Sequence, residues 1–394
     1  MIKLPGKKPS VNIVPKIIKE EVIESKDIIE QDDQDIYNVD SVQTLENVLL
    51  KEEETVESSE DVIMEDFFAT TRNDYENFDE RAWNKGDGYK IPGYPEMEAR
   101  LEGLESGLYL FAGESNSGKS ALMMNILKDI CSCKENKLYG VYYSLDDSKN
   151  EIIPRIIAME QQIPIAVASK PKRFQNMIDH GDDDNALIFE DQLKKREIGL
   201  KKLREESNLF KIEDTTKIKN QTDLKKHIIK VQTFVKSIDP EMNIIIAIDS
   251  INDIKLDFNT TSDKQKAEFT AAFVKDLSVD YDIVVFSSSH LRKLNGNRRP
   301  GVDDLKEANT LLYEASVVWL VYNDVSKNKG GAKIYWADDM AEDKLGAIIE
   351  IDWSKNKKSS FKGRTYTKFR PYYSLCMECK KEDNKRYDQI IIQS

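Results

Sequence analysis

Cysteine is scarce in this chain, with four in 394 residues, at positions 131, 133, 376 and 379. So few and so unevenly spaced thiols do not make a disulfide framework, and they fit a reducing interior better than a secreted scaffold. Long apolar runs are also missing. Nothing approaches the ~20 consecutive apolar residues that a membrane-spanning helix requires. The opening stretch, MIKLPGKKPS, is charged but is followed by no apolar core of a signal peptide. No repeat at solenoid spacing is visible. A membrane span, a secreted disulfide scaffold and a repeat array are thereby set aside, and a soluble cytoplasmic protein is expected.

What is present is 40% hydrophobic and 33% charged, enough for one large domain with appendages or for two small ones. The net charge of −13 is unevenly spread. Residues 1–70 carry 7 Lys/Arg against 18 Asp/Glu, a net of −11, which leaves −2 for everything after them. A nucleic-acid surface on the body is therefore compatible with the acidic whole. Residues 1–75 predict an acidic, mostly disordered tail. Its one helically spaced island, Val42, Leu45, Val48 and Leu49, could dock on a partner or on the body. Residues 76–105 predict a linker helix with aromatic anchors and a Gly/Pro-rich lead-in loop. The main domain is expected over 106–370, with a C-terminal tail over 371–394.

The stretch YLFAGESNSGKS, 109–120, organises the rest. An apolar strand runs into Gly113, Glu114, Ser115, Asn116, Ser117, Gly118, Lys119 and Ser120, and a helical pattern, ALMMNILKDI, follows at once. Strand, GxxxxGK[ST] and helix in that order are the context in which the motif has a mechanism. The glycines let the backbone curl around an anion, and successive N–H groups and the helix N-terminus face phosphates. Lys119 is placed to reach the β- and γ-phosphates and the Ser120 hydroxyl to bind Mg²⁺. A nucleoside triphosphate is the expected ligand.

Strands and helices then alternate. A β-rich strand at 139–145 ends in Asp146 and Asp147, and a helix carrying Arg155 follows. The run NIIIAIDS, 243–250, is apolar throughout and reads as a buried parallel strand. Asp249, at its end beside a phosphate loop, is the expected Mg²⁺-shell carboxylate. Strand DIVVFSSSH ends at His290. Short strands dominate after about residue 316. The fold class predicted is α/β, with a mainly parallel central sheet and β-structure appended at the C-terminal edge. Cys376 and Cys379 form a CxxC without a second ligand pair near in sequence, so a closed zinc site does not follow.

With these elements in order, the chain resembles a RecA-fold ATPase and, more narrowly, the motor domain of hexameric replicative DNA helicases of the DnaB type, over about 76–370. The family's Ser-Leu-Glu, with an arginine nine residues on, is matched by Ser144-Leu145-Asp146 and Arg155. The resemblance implies that Asp146 orients the attacking water, with the adjacent Asp147 a second candidate. Ser289-His290-Leu291-Arg292 is similar to the phage-type branch and implies that His290 senses the γ-phosphate. Arg299-Pro300, then Asp303-Asp304-Leu305-Lys306-Glu307, resembles a stretch on loops lining the central channel; the family continues Ser-Gly where this chain has Ala308-Asn309. The loop LRKLNGNRRPG with its continuation offers Arg292, Lys293, Arg298, Arg299, Lys306 and Asn309 for contacts to single-stranded DNA. Lys357 stands where the family has an arginine finger reaching a neighbour's ATP, and Lys355 stands two residues before it. The resemblance implies an ATP- and Mg²⁺-dependent homo-hexameric helicase. The family's N-terminal domain or fused primase has no counterpart in these residues, so a primase and a loader are expected in trans. Two other classes share the motifs: a RecA-type strand-exchange ATPase and a non-motor ATP-binding regulatory ring.

Overall fold

Strand β1 (Gly107–Gly113) shows how the body is built. Tyr109 and Phe111 point into one core, and Leu108, Leu110 and Ala112 into another on the opposite face. This is the period of two that an extended chain imposes. With both faces covered, every position must be apolar, and the strand reads as an unbroken hydrophobic run. The computed structural model describes residues 68–393 other than 81, 84–85, 182–184, 295, 297, 306–307, 340 and 342–343. It divides into two units, 1–84 and 85–394, each taken by itself below.

Among the described residues of the second unit, ten strands form one sheet. After β1 come β2 (Leu138–Ser144), β3 (Phe210–Asp214), β4 (Asn243–Asp249), β5 (Val284–His290) and β6 (Val317–Asn323). Then follow β7 (Tyr335–Ala337), β8 (Leu345–Asn356), β9 (Arg364–Arg370) and β10 (Leu375–Glu378). The spatial order is β10-β9-β8-β6-β1-β5-β4-β2-β3, with β7 on β8. Strands β6, β1, β5, β4, β2 and β3 are mutually parallel. Strands β7 to β10 join antiparallel at one edge. The predicted class is what the structure shows.

The helices start where local chemistry satisfies their free N–H groups. Asn220 accepts from the Asp223 N–H at the head of Gln221–Ile238, and Ser262 accepts from the Gln265 N–H at the head of Asp263–Asp280. Ser148 and Glu151 form a reciprocal capping box on Lys149–Gln161. The first two of these helices bury Leu224, Ile228, Val231, Val274 and Leu277 on one face of the sheet. Helix Lys119–Ser132 buries Leu122, Met123, Ile126 and Leu127 on the other.

Two expected boundaries are corrected. Residues 371–394 are no tail: β10 extends the sheet, and helix Lys381–Ile392 closes a small core. Tyr387 is 1% exposed there, and the Tyr366 hydroxyl donates to Asp388 at 2.6 Å. Residues 85–105 are not a linker either. Ile91, Tyr94, Met97, Leu101 and Leu104 are buried in the main core. Glu378 of β10 accepts the Glu96 and Met97 N–H groups at 2.8 and 2.9 Å, holding the start of helix Pro95–Leu101. In the first unit a helix runs over 68–80 and on at 82–83, with Tyr75, Phe78 and Trp83 exposed. The expected acidic tail lies outside the described residues up to position 67, as does the island at 42–49.

Candidate active site

The carboxyl ends of parallel strands open onto one side of the sheet, where such folds place their ligands. Registers of β1, β5, β4 and β2 bring four of the predicted residues there. Gly113 pairs with His290, and Ser144 with Asp249. The phosphate loop then folds as its glycines require. Gly118 caps the following helix at φ +95°, and a Cβ there would stand 2.7 Å from Ile349 Cδ1. A Cβ on Gly113 would meet the Val321 carbonyl oxygen at 2.7 Å. Ser117 Oγ is buried with no hydrogen-bond partner among the described residues.

Lys119 is 6% exposed, and its Nζ donates to the carbonyl oxygens of Gly113 (2.9 Å) and Glu114 (2.8 Å). Burial lowers its pKa to about 8, against the opposing pull of Asp249 and Glu114. Asp249 is fixed through both oxygens: the Tyr142 hydroxyl donates to Oδ2 at 2.5 Å and the Ser288 hydroxyl to Oδ1. Ser120 and Asp249 line the same cavity of about 590 Å³ as Lys119, Asp146, Asp147 and His290.

The structure separates the two adjacent carboxylates. Asp147 Oδ2 accepts Arg155 Nη1 at 2.6 Å, so Asp147 is the one that takes the helix arginine. The Asp146 carboxylate has no hydrogen bond or ion pair to any described residue. Partial burial and then the carboxylates of Asp253, Asp147 and Asp249 raise its pKa, while His290 pulls the other way. The His290 backbone N–H is held by Asn252 Oδ1 at 3.0 Å, and Ser289 Oγ donates to the same oxygen at 3.2 Å. Asn252 had no signal in the sequence beyond standing three residues after Asp249.

Beyond His290 the chain enters the basic loop, closed by a Leu291–Leu305 bridge and by the Arg292 N–H on the Asp304 carbonyl at 2.7 Å. Its cations divide into two kinds. Arg298 is paired with Asp304, its Nη1 on Oδ2 at 2.6 Å. Arg299 forks onto Glu350 of β8 at 2.6 and 2.9 Å and lies over the Tyr322 ring at 5.3 Å. Arg292 and Lys293 are exposed, and their side chains have no hydrogen bond or ion pair to a described residue. Lys306 and the Asn309 side chain lie outside the described residues.

The model of the DnaB-like helicase C-terminal domain matches residues 91–363. The chain belongs to the DnaB-like helicase family. Two solved structures are similar to it. One is a DnaB-like replicative helicase described with its interactions with primase, at 18% identity over 79% of this chain and 66% of that one, TM-score 0.59. The other is the ATPase domain of a second protein, at 18% identity over 79% of this chain and 98% of that one, TM-score 0.60. At such identity the likeness establishes the fold, which is the RecA-like one expected. The chain spans about two-thirds of the first relative's length. No curated protein matches.

In this DnaB-like body the two lysines near the end of β8 are at the opposite end of the sheet from the phosphate loop. Asn356 pairs with Val317, whereas Gly113 pairs with Val321, four residues or about 13 Å along the strand. Lys355 Nζ donates to the Leu312 and Tyr313 carbonyls and so closes the C-terminal end of helix Ala308–Glu314. Burial, with the neighbouring Lys357, lowers its pKa to about 8. Lys357 is exposed. Cys376 and Cys379 are buried, their thiols pushed up by burial. Among the described residues no group of three His, Cys, Asp or Glu is placed to hold a metal, and no helix is long and apolar enough to cross a membrane.

The Arg299–Glu350 pair carries a prediction. Glu350 is 2% exposed, and burial raises its pKa even with Arg299 beside it. Arg299→Ala strands that carboxylate, so unfolding free energy in a denaturant titration should fall by about 3 kcal/mol. A fall no larger than that of Arg298→Ala would show that the pair is not the anchor of the loop.

Proposed function

We propose that this chain hydrolyses ATP to translocate along single-stranded DNA as a ring and to unwind duplex DNA. What supports this reading is one juxtaposition. Lys119, Ser120, Asp146, Asp249 and His290 line a single cavity, and β5 leads from His290 directly to the exposed cations Arg292 and Lys293. The N–H groups of 113–120 and the start of helix Lys119–Ser132 receive the phosphates. Lys119 supplies the charge, at a site where burial makes that charge count for more.

The Ser120 hydroxyl and the Asp249 carboxylate are hard oxygen donors, the latter oriented by Tyr142 and Ser288, and such a pair fits Mg²⁺. Mg²⁺, when bound, would offset charge on the phosphate oxygens. Asp146 lines the cavity with no competing partner among the described residues and holds the attacking water, while Asp147 with Arg155 fixes the turn beside it. His290 stands between the cavity and the basic loop, the place for a γ-phosphate sensor. Arg292 and Lys293 hold the DNA backbone without reading sequence, and Lys306 and Asn309 are assigned to the same role by the family resemblance alone. Lys357 is too far from its own phosphate loop to act there, which favours action on the nucleotide of the next subunit in a homo-hexamer. A lysine there gives charge without the planar fork of an arginine. A primase in trans is the partner proposed, as is a loader.

The test is ATP-dependent strand separation on a forked duplex, each single-stranded tail blocked in turn. Unwinding that requires ATP and one free tail supports a translocating helicase and gives its polarity. ATP hydrolysis with no fork opened, together with filaments on DNA, would move the reading to strand exchange. Absence of DNA-stimulated hydrolysis would move it to a non-motor ring.

A further inference from the structure

Adjoining the first cavity, and sharing Ser115, Asn116 and His290 with it, a second cavity of about 760 Å³ holds a contact that the roles above do not use. Glu114 is the second residue of that loop. Its Oε1 accepts the Leu294 N–H at 3.1 Å, and its Oε2 accepts Lys327 Nζ at 2.7 Å. Its own carbonyl oxygen accepts Lys119 Nζ. One residue therefore touches the phosphate-binding lysine through its backbone and the basic loop through its side chain. Leu294 directly follows Arg292 and Lys293 and is itself 4% exposed, so the backbone being held is the anchored root of the two exposed cations.

The other end of the bridge is firm. Lys327 belongs to helix Asp324–Asn328, whose start is capped by Asn323 on the Ser326 N–H at 3.0 Å. Asp324, 4% exposed, accepts the Ile334 N–H at 2.9 Å and ties that helix to the next segment. Partial burial alone would raise the Glu114 pKa; the Lys327 and Leu294 bonds outweigh it and hold the carboxyl below its usual value. The bridge is thus ionic at neutral pH. A phosphate reached by Lys119 competes with the Gly113 and Glu114 carbonyls for the same Nζ. Any turn of the 114 peptide that follows is handed to Leu294 by the side chain.

We propose that Glu114, anchored by Lys327, is the positioning residue that couples nucleotide binding in the phosphate loop to the placement of Arg292 and Lys293. This rests on the reading that the chain binds ATP and single-stranded DNA. Coupling of this kind is reciprocal, so each ligand must change the affinity for the other by the same factor.

The experiment measures the dissociation constant of labelled oligothymidine on the full chain by fluorescence anisotropy, with and without ATPγS. The ratio of the two is the coupling factor, expected to exceed about fivefold in the wild-type protein. Lys327→Met should bring that ratio close to one. Its oligothymidine affinity without nucleotide, and its nucleotide affinity without DNA, should stay at wild-type values. Lys327→Arg should restore the ratio, because a guanidinium still pairs with the carboxylate. A Lys327→Met protein that folds, by its thermal melt, and keeps the full ratio overturns the proposal. Should that variant fail to fold, Glu114→Gln reads the same bridge: it retains an acceptor for Leu294 but no charge for Lys327, and an unchanged ratio there overturns the proposal equally. A wild-type protein that binds both ligands without coupling sinks the bridge and leaves the ATP and DNA reading standing. One that binds neither sinks both.

Discussion

Lys119→Ala is expected to lower kcat for ATP hydrolysis by about 10²–10³-fold, the loss typical of removing one preorganised charge from a water-poor site. ATP affinity should weaken as well, because the ammonium meets the phosphates in the ground state and in the transition state alike. Direct nucleotide binding and steady-state hydrolysis separate the two effects. The wild-type protein should also show a pH signature. With a pKa lowered to about 8, Lys119 is charged below that pH and loses its proton above it. Nucleotide affinity should therefore be constant up to about pH 8 and then fall, by at most about tenfold per pH unit. The direction is fixed by burial, which disfavours the ammonium, whereas the bound phosphates favour it. Lys119→Ala removes the titrating group, so its residual affinity should be flat over the same range. A wild-type affinity that does not decline between pH 8 and pH 10 would mean that Lys119 does not meet the phosphates.

The parts of this site that are legible in the sequence share one property: they are local. The phosphate loop is a contiguous strand-turn-helix, Asp249 ends an unbroken apolar run, and His290 ends a strand that opens Val-Val-Phe and continues through three serines. Register then does the assembly, since strands laid side by side in parallel present their carboxyl ends together. The contacts that were not legible join residues far apart in the chain. Glu114 meets Leu294 and Lys327 across separations of 180 and 213 residues. Nothing in the spacing of a charged loop says which of its arginines will find a carboxylate. Arg299 reaches β8 and Arg298 reaches Asp304, which leaves the side chains of Arg292 and Lys293 without a hydrogen bond or ion pair among the described residues. The C-terminal segment misleads for another reason. In KEDNKRYDQIII the anchor is one tyrosine among charges, and β10 is only four residues long. A single buried ring gives no periodicity to read, so what looks like a polar tail is a packed edge. The relation between Asp146 and Asp147 was equally open, because adjacent residues in a turn differ only in the direction that the backbone gives them.

That last pair yields the second large effect. Asp146→Asn is expected to reduce kcat for ATP hydrolysis by about 10²–10⁴-fold, the range for a positioned acid–base group. Its ATP affinity should be largely preserved, since the carboxylate acts on the water and not on the phosphates. Asp147→Asn should cost far less, because it weakens a partly exposed tie to Arg155 and leaves the cavity carboxylate in place. The raised pKa of Asp146 adds a further signature. Its carboxyl must be ionised to hold and activate water, so activity should rise with pH through a value higher than that of a free aspartate and then level off. Partial burial is the main cause of that rise, and the carboxylates of Asp253, Asp147 and Asp249 add to it by making a further negative charge costly, so the limb should move slightly to lower pH in Asp249→Asn as residual activity allows. In Asp146→Asn the limb should disappear. If Asp147→Asn proves the inactive protein and Asp146→Asn the active one, the roles are exchanged. Arg155 would then be holding the catalytic carboxylate, as a switch that must release it before each turnover.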